Sequence, residues 1–146
     1  MPGSHPPSLR TLVLRALREH ELIAPGQRLL VAASGGPDST ALLHACWLVR
    51  EKLGFTLAAC GVDHGLRPEA AAELAGGAEL CRHLSVPFVV RAVVVAPGGN
   101  LQARARVARH AALREAAALL GADRIATGHH ADDRAETVLL RLLRGS

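Results

Sequence analysis

A chain of 146 residues, 49% of them hydrophobic, is long enough for one α/β domain with a buried core and too short for two. Its formal net charge is +4 and its pI about 9.8. Sixteen of its seventeen basic residues are arginine, Lys52 being the single lysine, a balance that permits a nucleic-acid partner without requiring one. Three cysteines (Cys46, Cys60, Cys81) with no Cys-x-x-Cys pair argue against a disulfide framework or a cysteine-held metal and fit free thiols in a reducing cytoplasm.

Residues 1–7 lack the apolar core of a signal peptide, and no run reaches the length of a bilayer span, so a cytoplasmic chain without membrane contact is expected. Residues 1–27 read as a short lead followed by a covering helix. Ser8 is the candidate N-cap, and Leu12, Leu14, Leu17 and Ile23 form the apolar side. Pro25-Gly26 ends this element and launches a strand over 29–33.

That strand runs into Ser34-Gly35-Gly36-Pro37-Asp38-Ser39 and then the apolar Ala41-Leu42-Leu43. Two glycines allow close backbone approach and positive φ, and Pro37 suits a first helical position. Backbone N–H groups, the Ser34 and Ser39 hydroxyls and the helix dipole then converge on a point suited to phosphate. The glycine spacing is not that of a Walker A loop. An acid beside an anion site makes sense if Mg²⁺ bridges Asp38 to the phosphates. The helix that follows is stopped by Gly54, and Trp47 within it reads as core packing.

The apolar run 55–62 is a second strand of the parallel-sheet kind, ending in Asp63-His64-Gly65-Leu66-Arg67. In open α/β sheets, strand C-terminal edges hold ligands, so Asp63 and His64 can neighbour the phosphate loop; capping a turn explains them equally well. A helix over 69–84 with Leu74, Ala78 and Cys81 as packing stripe precedes a third strand over 87–95. Pro97-Gly98-Gly99-Asn100 reads as a loop with Asn100 as N-cap of a helix carrying Arg104, Arg106, Arg109 and Arg114, the densest basic patch in the chain. Leu101, Ala105, Ala108 and Ala112 form one stripe of this helix; Arg106 and Arg109 share another side.

The fourth strand, 124–127, is followed by Gly128-His129-His130-Ala131-Asp132-Asp133-Arg134-Ala135-Glu136-Thr137. On a helix opening here, Asp132, Asp133 and Glu136 gather on one face, an arrangement that the helix dipole alone favours and that also suits a pocket for a cation.

Ser-Gly-Gly-x-Asp-Ser resembles the pyrophosphate loop of the ATP pyrophosphatase superfamily. Val62-Asp-His-Gly-Leu-Arg67, Asn100-Leu-Gln with Arg106 and Arg109, and Thr127-Gly-His-His-Ala-Asp-Asp-Arg-Ala-Glu-Thr137 are similar, in order, to the signatures of the tRNA(Ile)-lysidine synthetase family. His110 stands where the family has tyrosine and Arg134 where it has glutamine. The resemblance covers residues 28–146 and implies a doubly wound parallel sheet of the adenine nucleotide alpha hydrolase-like, Rossmann-like PP-loop ATPase kind, with a further strand beyond the last helix that this sequence does not reach.

The resemblance also implies ligation of L-lysine to C2 of the wobble cytidine of isoleucine tRNA (CAU anticodon) through an adenylated base, with ATP and Mg²⁺. It assigns ATP to Ser34, Gly35, Gly36, Pro37, Asp38, Ser39, Asp63 and His64, and the metal to Asp38. Catalytic roles fall to Asp38, His129 and Asp133, lysine to Asp132, Asp133 and Glu136, and tRNA to Arg106 and Arg109. A tRNA 2-thiolation enzyme of the same superfamily and an inactive ATP-binding remnant are the competing readings. Oligomeric state, a dimer included, is left open, and the 146 residues alone are expected to be insufficient for tRNA modification.

Overall fold

The computed structural model describes residues 8–33, 37–65, 69–95, 97–130 and 138–144, with backbone alone for 37–38, 128–130 and 138–144. In chain order the elements are α1 (Leu9–Glu19), β1 (Arg28–Ala32), α2 (Pro37–Leu53), β2 (Thr56–Asp63), α3 (Glu69–Leu84), β3 (Phe88–Ala92), α4 (Leu101–Leu120), β4 (Arg124–His130) and β5 (Val138–Arg144).

The strands form one sheet in the order β3-β2-β1-β4-β5. β1 pairs in parallel with β2 and with β4, and β2 with β3. Because side chains alternate along a strand, β1 feeds both faces. Leu29, Val31 and Ala33 join Leu42, Cys46 and Val49 of α2, Val13 and Leu17 of α1 and Cys81 of α3 in one core. Leu30 and Ala32 join Leu113, Ala116 and Ala117 of α4 in the other. The chain winds outward from β1 through α2 and α3, then returns by α4 to the far side of β1. Reversing direction with one crossover hand puts α4 on the opposite face, as observed.

Local chemistry sets the element ends. The Thr11 N–H donates to Ser8 Oγ at 3.2 Å, which makes Ser8 the N-cap of α1. Gly54, at φ 78°, closes α2 in a left-handed conformation, and its carbonyl accepts from the Gly26 N–H at 2.8 Å. Asn100 differs from expectation. It takes φ 59°, ψ 41° and makes no side-chain cap bond. Asparagine tolerates this left-handed conformation, whereas N-cap bonding needs an extended one.

The helix-then-missing-strand expectation for the C-terminal segment is overturned. Val138–Arg144 is a strand, β5, antiparallel to β4, with Ala126 opposite Leu142. A short apolar run such as Val138-Leu-Leu-Arg-Leu-Leu143 cannot be divided between helix and strand by periodicity, and the open edge of β4 offers backbone groups to pair with. β4 is therefore an interior strand, longer than 124–127, and β3 is the edge on the other side.

Candidate active site

The topological switch lies between β1 and β4, the neighbours from which the chain departs in opposite directions. The connection leaving β1 carries the glycine motif, and the one leaving β4 carries the acidic motif. Ser34, Gly35 and Gly36 lie outside the described residues, as do Asp132, Asp133 and Glu136. Pro37 and Asp38 open α2, so the phosphate motif has a strand before it and a helix after it, as expected. Ser39, in the first turn, is buried. His129 belongs to β4, where its backbone pairs with Leu139 of β5.

Asp63 and His64 stand at the end of β2, beside β1. The Gly65 N–H donates to Asp63 Oδ1 at 2.8 Å, and the Val93 N–H donates to the Asp63 carbonyl at 2.8 Å. Asp63 is thus the cap of a turn, and through that turn it fixes His64. Nδ1 of His64 is buried and lacks a hydrogen-bond partner. Burial lowers the His64 pKa from its ordinary value, the nearby Arg109 guanidinium lowers it further, and Asp63 opposes both. The imidazole therefore offers a neutral ring to this edge of the sheet.

Arg106 and Arg109, expected to present a common basic face, diverge. Arg106 is exposed, whereas Arg109 is partly buried over β2, within electrostatic reach of Cys60 and His64. Burial lowers its pKa from the ordinary arginine value. The reason lies in α4, whose buried residues are Ala112, Leu113, Ala116 and Ala117, with Leu101 exposed. Arg109 precedes Leu113 by four positions and shares its sheet-facing side. The predicted stripe was thus displaced toward the helix C-terminus.

Sequence reasoning also passed over Arg104. Its Nε and one amino nitrogen, NH2, are buried without a partner, and a Cβ placed on Gly98 would lie 2.9 Å from that NH2. In the sequence it is one arginine of a basic run, and Gly98, six residues before it, reads as an ordinary loop glycine.

The three cysteines are free and buried. Burial pushes the thiol pKa of Cys46 up to about 12, and those of Cys60 and Cys81 up to about 11. At neutral pH all three are protonated and poor nucleophiles.

This arrangement defines an open, doubly wound α/β domain whose strand C-terminal edge combines the start of α2, a partly buried neutral imidazole and an inward-turned arginine. Residues 10–146 match the PP-loop domain family, and the chain belongs to it. It is 46% identical over 134 residues to the tRNA(Ile)-lysidine synthase of Symbiobacterium thermophilum, covering 87% of this chain and 27% of that protein. It is 45% identical over 149 aligned positions to the tRNA(Ile)-lysidine synthase of Thermobifida fusca, covering 100% of this chain and 45% of that protein. The chain therefore spans less than half the length of these relatives. Among solved structures, the U34-tRNA thiolase NcsA from Methanococcus maripaludis shares the fold at a TM-score of 0.67 and 15% identity, over 83% of this chain and 44% of that one.

Proposed function

We propose that this chain is the ATP-binding domain of a tRNA(Ile)-lysidine synthetase, acting in the cytoplasm on isoleucine tRNA and L-lysine. The observation that carries the reading is the 46% identity to a lysidine synthase over 87% of the chain, on a fold whose switch point brings together the connections bearing the two motifs.

In this reading the amides of Ser34, Gly35 and Gly36, the hydroxyls of Ser34 and Ser39 and the start of α2 receive the pyrophosphate end of ATP. His64 supplies a nitrogen with no internal partner to the same edge. Mg²⁺ falls to Asp38 together with the phosphates, an acid beside an anion site being suited to a bridging cation. When bound, such an ion offsets charge on the leaving pyrophosphate. The cytosine O2 attacks the α-phosphorus as the bond to pyrophosphate breaks. The lysine amine then adds at C2 and AMP departs with that oxygen. Asp132, Asp133 and Glu136 hold the lysine, and His129 accepts a proton from the attacking amine. Arg106 and Arg109 complete the set as tRNA contacts, Arg109 from its inward position.

A thiolase reading draws on the shared fold, but buried thiols with pKa values of about 11 to 12 are unsuited to carrying sulfur. The test is a chimera in which this chain replaces the corresponding part of the Thermobifida fusca relative, incubated with CAU-anticodon isoleucine tRNA, ATP and lysine. Mass analysis of the digested tRNA should show lysidine. Unmodified cytidine from a folded chimera would refute the reading and favour an inactive remnant.

A further inference from the structure

Arg104 is a cation with no counter-charge among the described residues. Two of its three guanidinium nitrogens are sealed from solvent, neither has a hydrogen-bond partner, and no carboxylate among the described residues pairs with it. The side chain as a whole is only partly buried. Sealing two nitrogens of a guanidinium without partners is unfavourable, and an anion brought to its accessible part offsets the charge.

The site is built by the loop before α4. Gly98, at φ 148°, leaves the space into which the guanidinium fits, since a Cβ there would lie 2.9 Å from NH2 and 3.6 Å from Cζ. The loop residues 97–100 are exposed, and so is Arg106 one half-turn further on. The fully buried residues of α4 begin at Ala112, eight residues and about 12 Å from Arg104, so the start of the helix is the more exposed end.

We propose that Arg104 is a further RNA-binding residue, its guanidinium taking a backbone phosphate oxygen while the absence of a side chain at Gly98 leaves it room. This rests on the tRNA reading of the site. An RNA phosphate is favoured over a phosphate of ATP by topology. ATP is assigned to the end of β1, whereas Arg104 follows β3, and β2 lies between them, a separation of about 10 Å across the sheet. A cation at the more exposed end of the helix suits a ligand that extends beyond the sheet edge.

The test uses the 146-residue chain with two RNA probes, a CAU anticodon stem-loop and an unrelated stem-loop of equal length, titrated from 50 to 200 mM salt. Arg104→Gln should weaken both RNAs alike, roughly three- to tenfold, and reduce the slope of log affinity on log salt by ~0.7–0.9, the signature of one lost phosphate contact. Its ATP affinity and circular dichroism should match the parent. Gly98→Ala, which keeps every charge, should weaken RNA binding in the same direction by turning the guanidinium out. An unchanged salt slope in Arg104→Gln, a loss confined to ATP, wild-type RNA affinity in Gly98→Ala, or no RNA binding by the parent at 50 mM salt would each overturn the proposal. Failure of the parent to bind ATP would instead count against the wider reading, and the salt slopes would still decide the role of Arg104.

Discussion

His64 and the cysteines show how position along a strand edge sets chemistry. His64 has a pKa lowered from 6.5 by burial and by Arg109, so the folded state binds fewer protons there than the unfolded chain as pH falls below 6.5. Stability should therefore decline across that window, down to the folded pKa, and His64→Gln should flatten the decline; urea titrations at pH 7.5 and 5.5 measure it. An equal loss in both proteins would assign the effect elsewhere. Cys46, fully buried with its thiol raised to about 12, should resist iodoacetamide at pH 7.5 until the chain unfolds. Modification of the native protein at the rate of a free thiol would contradict that placement. The sequence identified Asp63 and His64 as a pair but left turn cap and ligand as equal alternatives. The structure shows the turn-capping part, one Asp63 carboxylate oxygen closing the turn, and leaves the His64 ring nitrogen beside it without a hydrogen-bond partner.

At the scale of elements, most of the fold was legible because β1, β2 and α2 are long apolar runs bounded by glycine and proline. Two features were not. The apolar stripe of α4 was placed too near its start, since alanine fits a surface as well as a core and only the sheet's reach decides which alanines it covers. The last segment was read as helix because Leu139, Leu140, Leu142 and Leu143 satisfy either period, and pairing with β4 is a tertiary choice. Cross-strand Hα and amide contacts between Ala126 and Leu142 in nuclear magnetic resonance spectra should be present, whereas helical shifts through 138–144 would contradict β5. Gly61 is closely packed on β2: a Cβ there would sit 2.5 Å from Leu74 Cδ2, 3.1 Å from Phe88 Cζ and 3.3 Å from the Ala33 carbonyl. Gly61→Ala should cost about 1–3 kcal/mol, read by denaturant titration, and a neutral result would mean that α3 and β3 give way freely.

At the scale of the molecule, both motif-bearing connections leave neighbouring strands at the switch point, and the helices on the two faces leave that edge of the sheet as the natural seat for a nucleotide. The central claim, a proposal, is that the segment joining β1 and α2 binds ATP with Asp38 as its metal-linked residue. Calorimetry of ATP on the parent chain and on Asp38→Asn, each with magnesium and with chelator, tests it most directly. The parent should bind saturably in magnesium, and Asp38→Asn should bind at least about tenfold more weakly, roughly 1.4 kcal/mol, with a melting temperature close to the parent's. With magnesium removed the two should bind alike. Equal affinity of parent and variant in magnesium, or the same tenfold gap in chelator, would contradict the account.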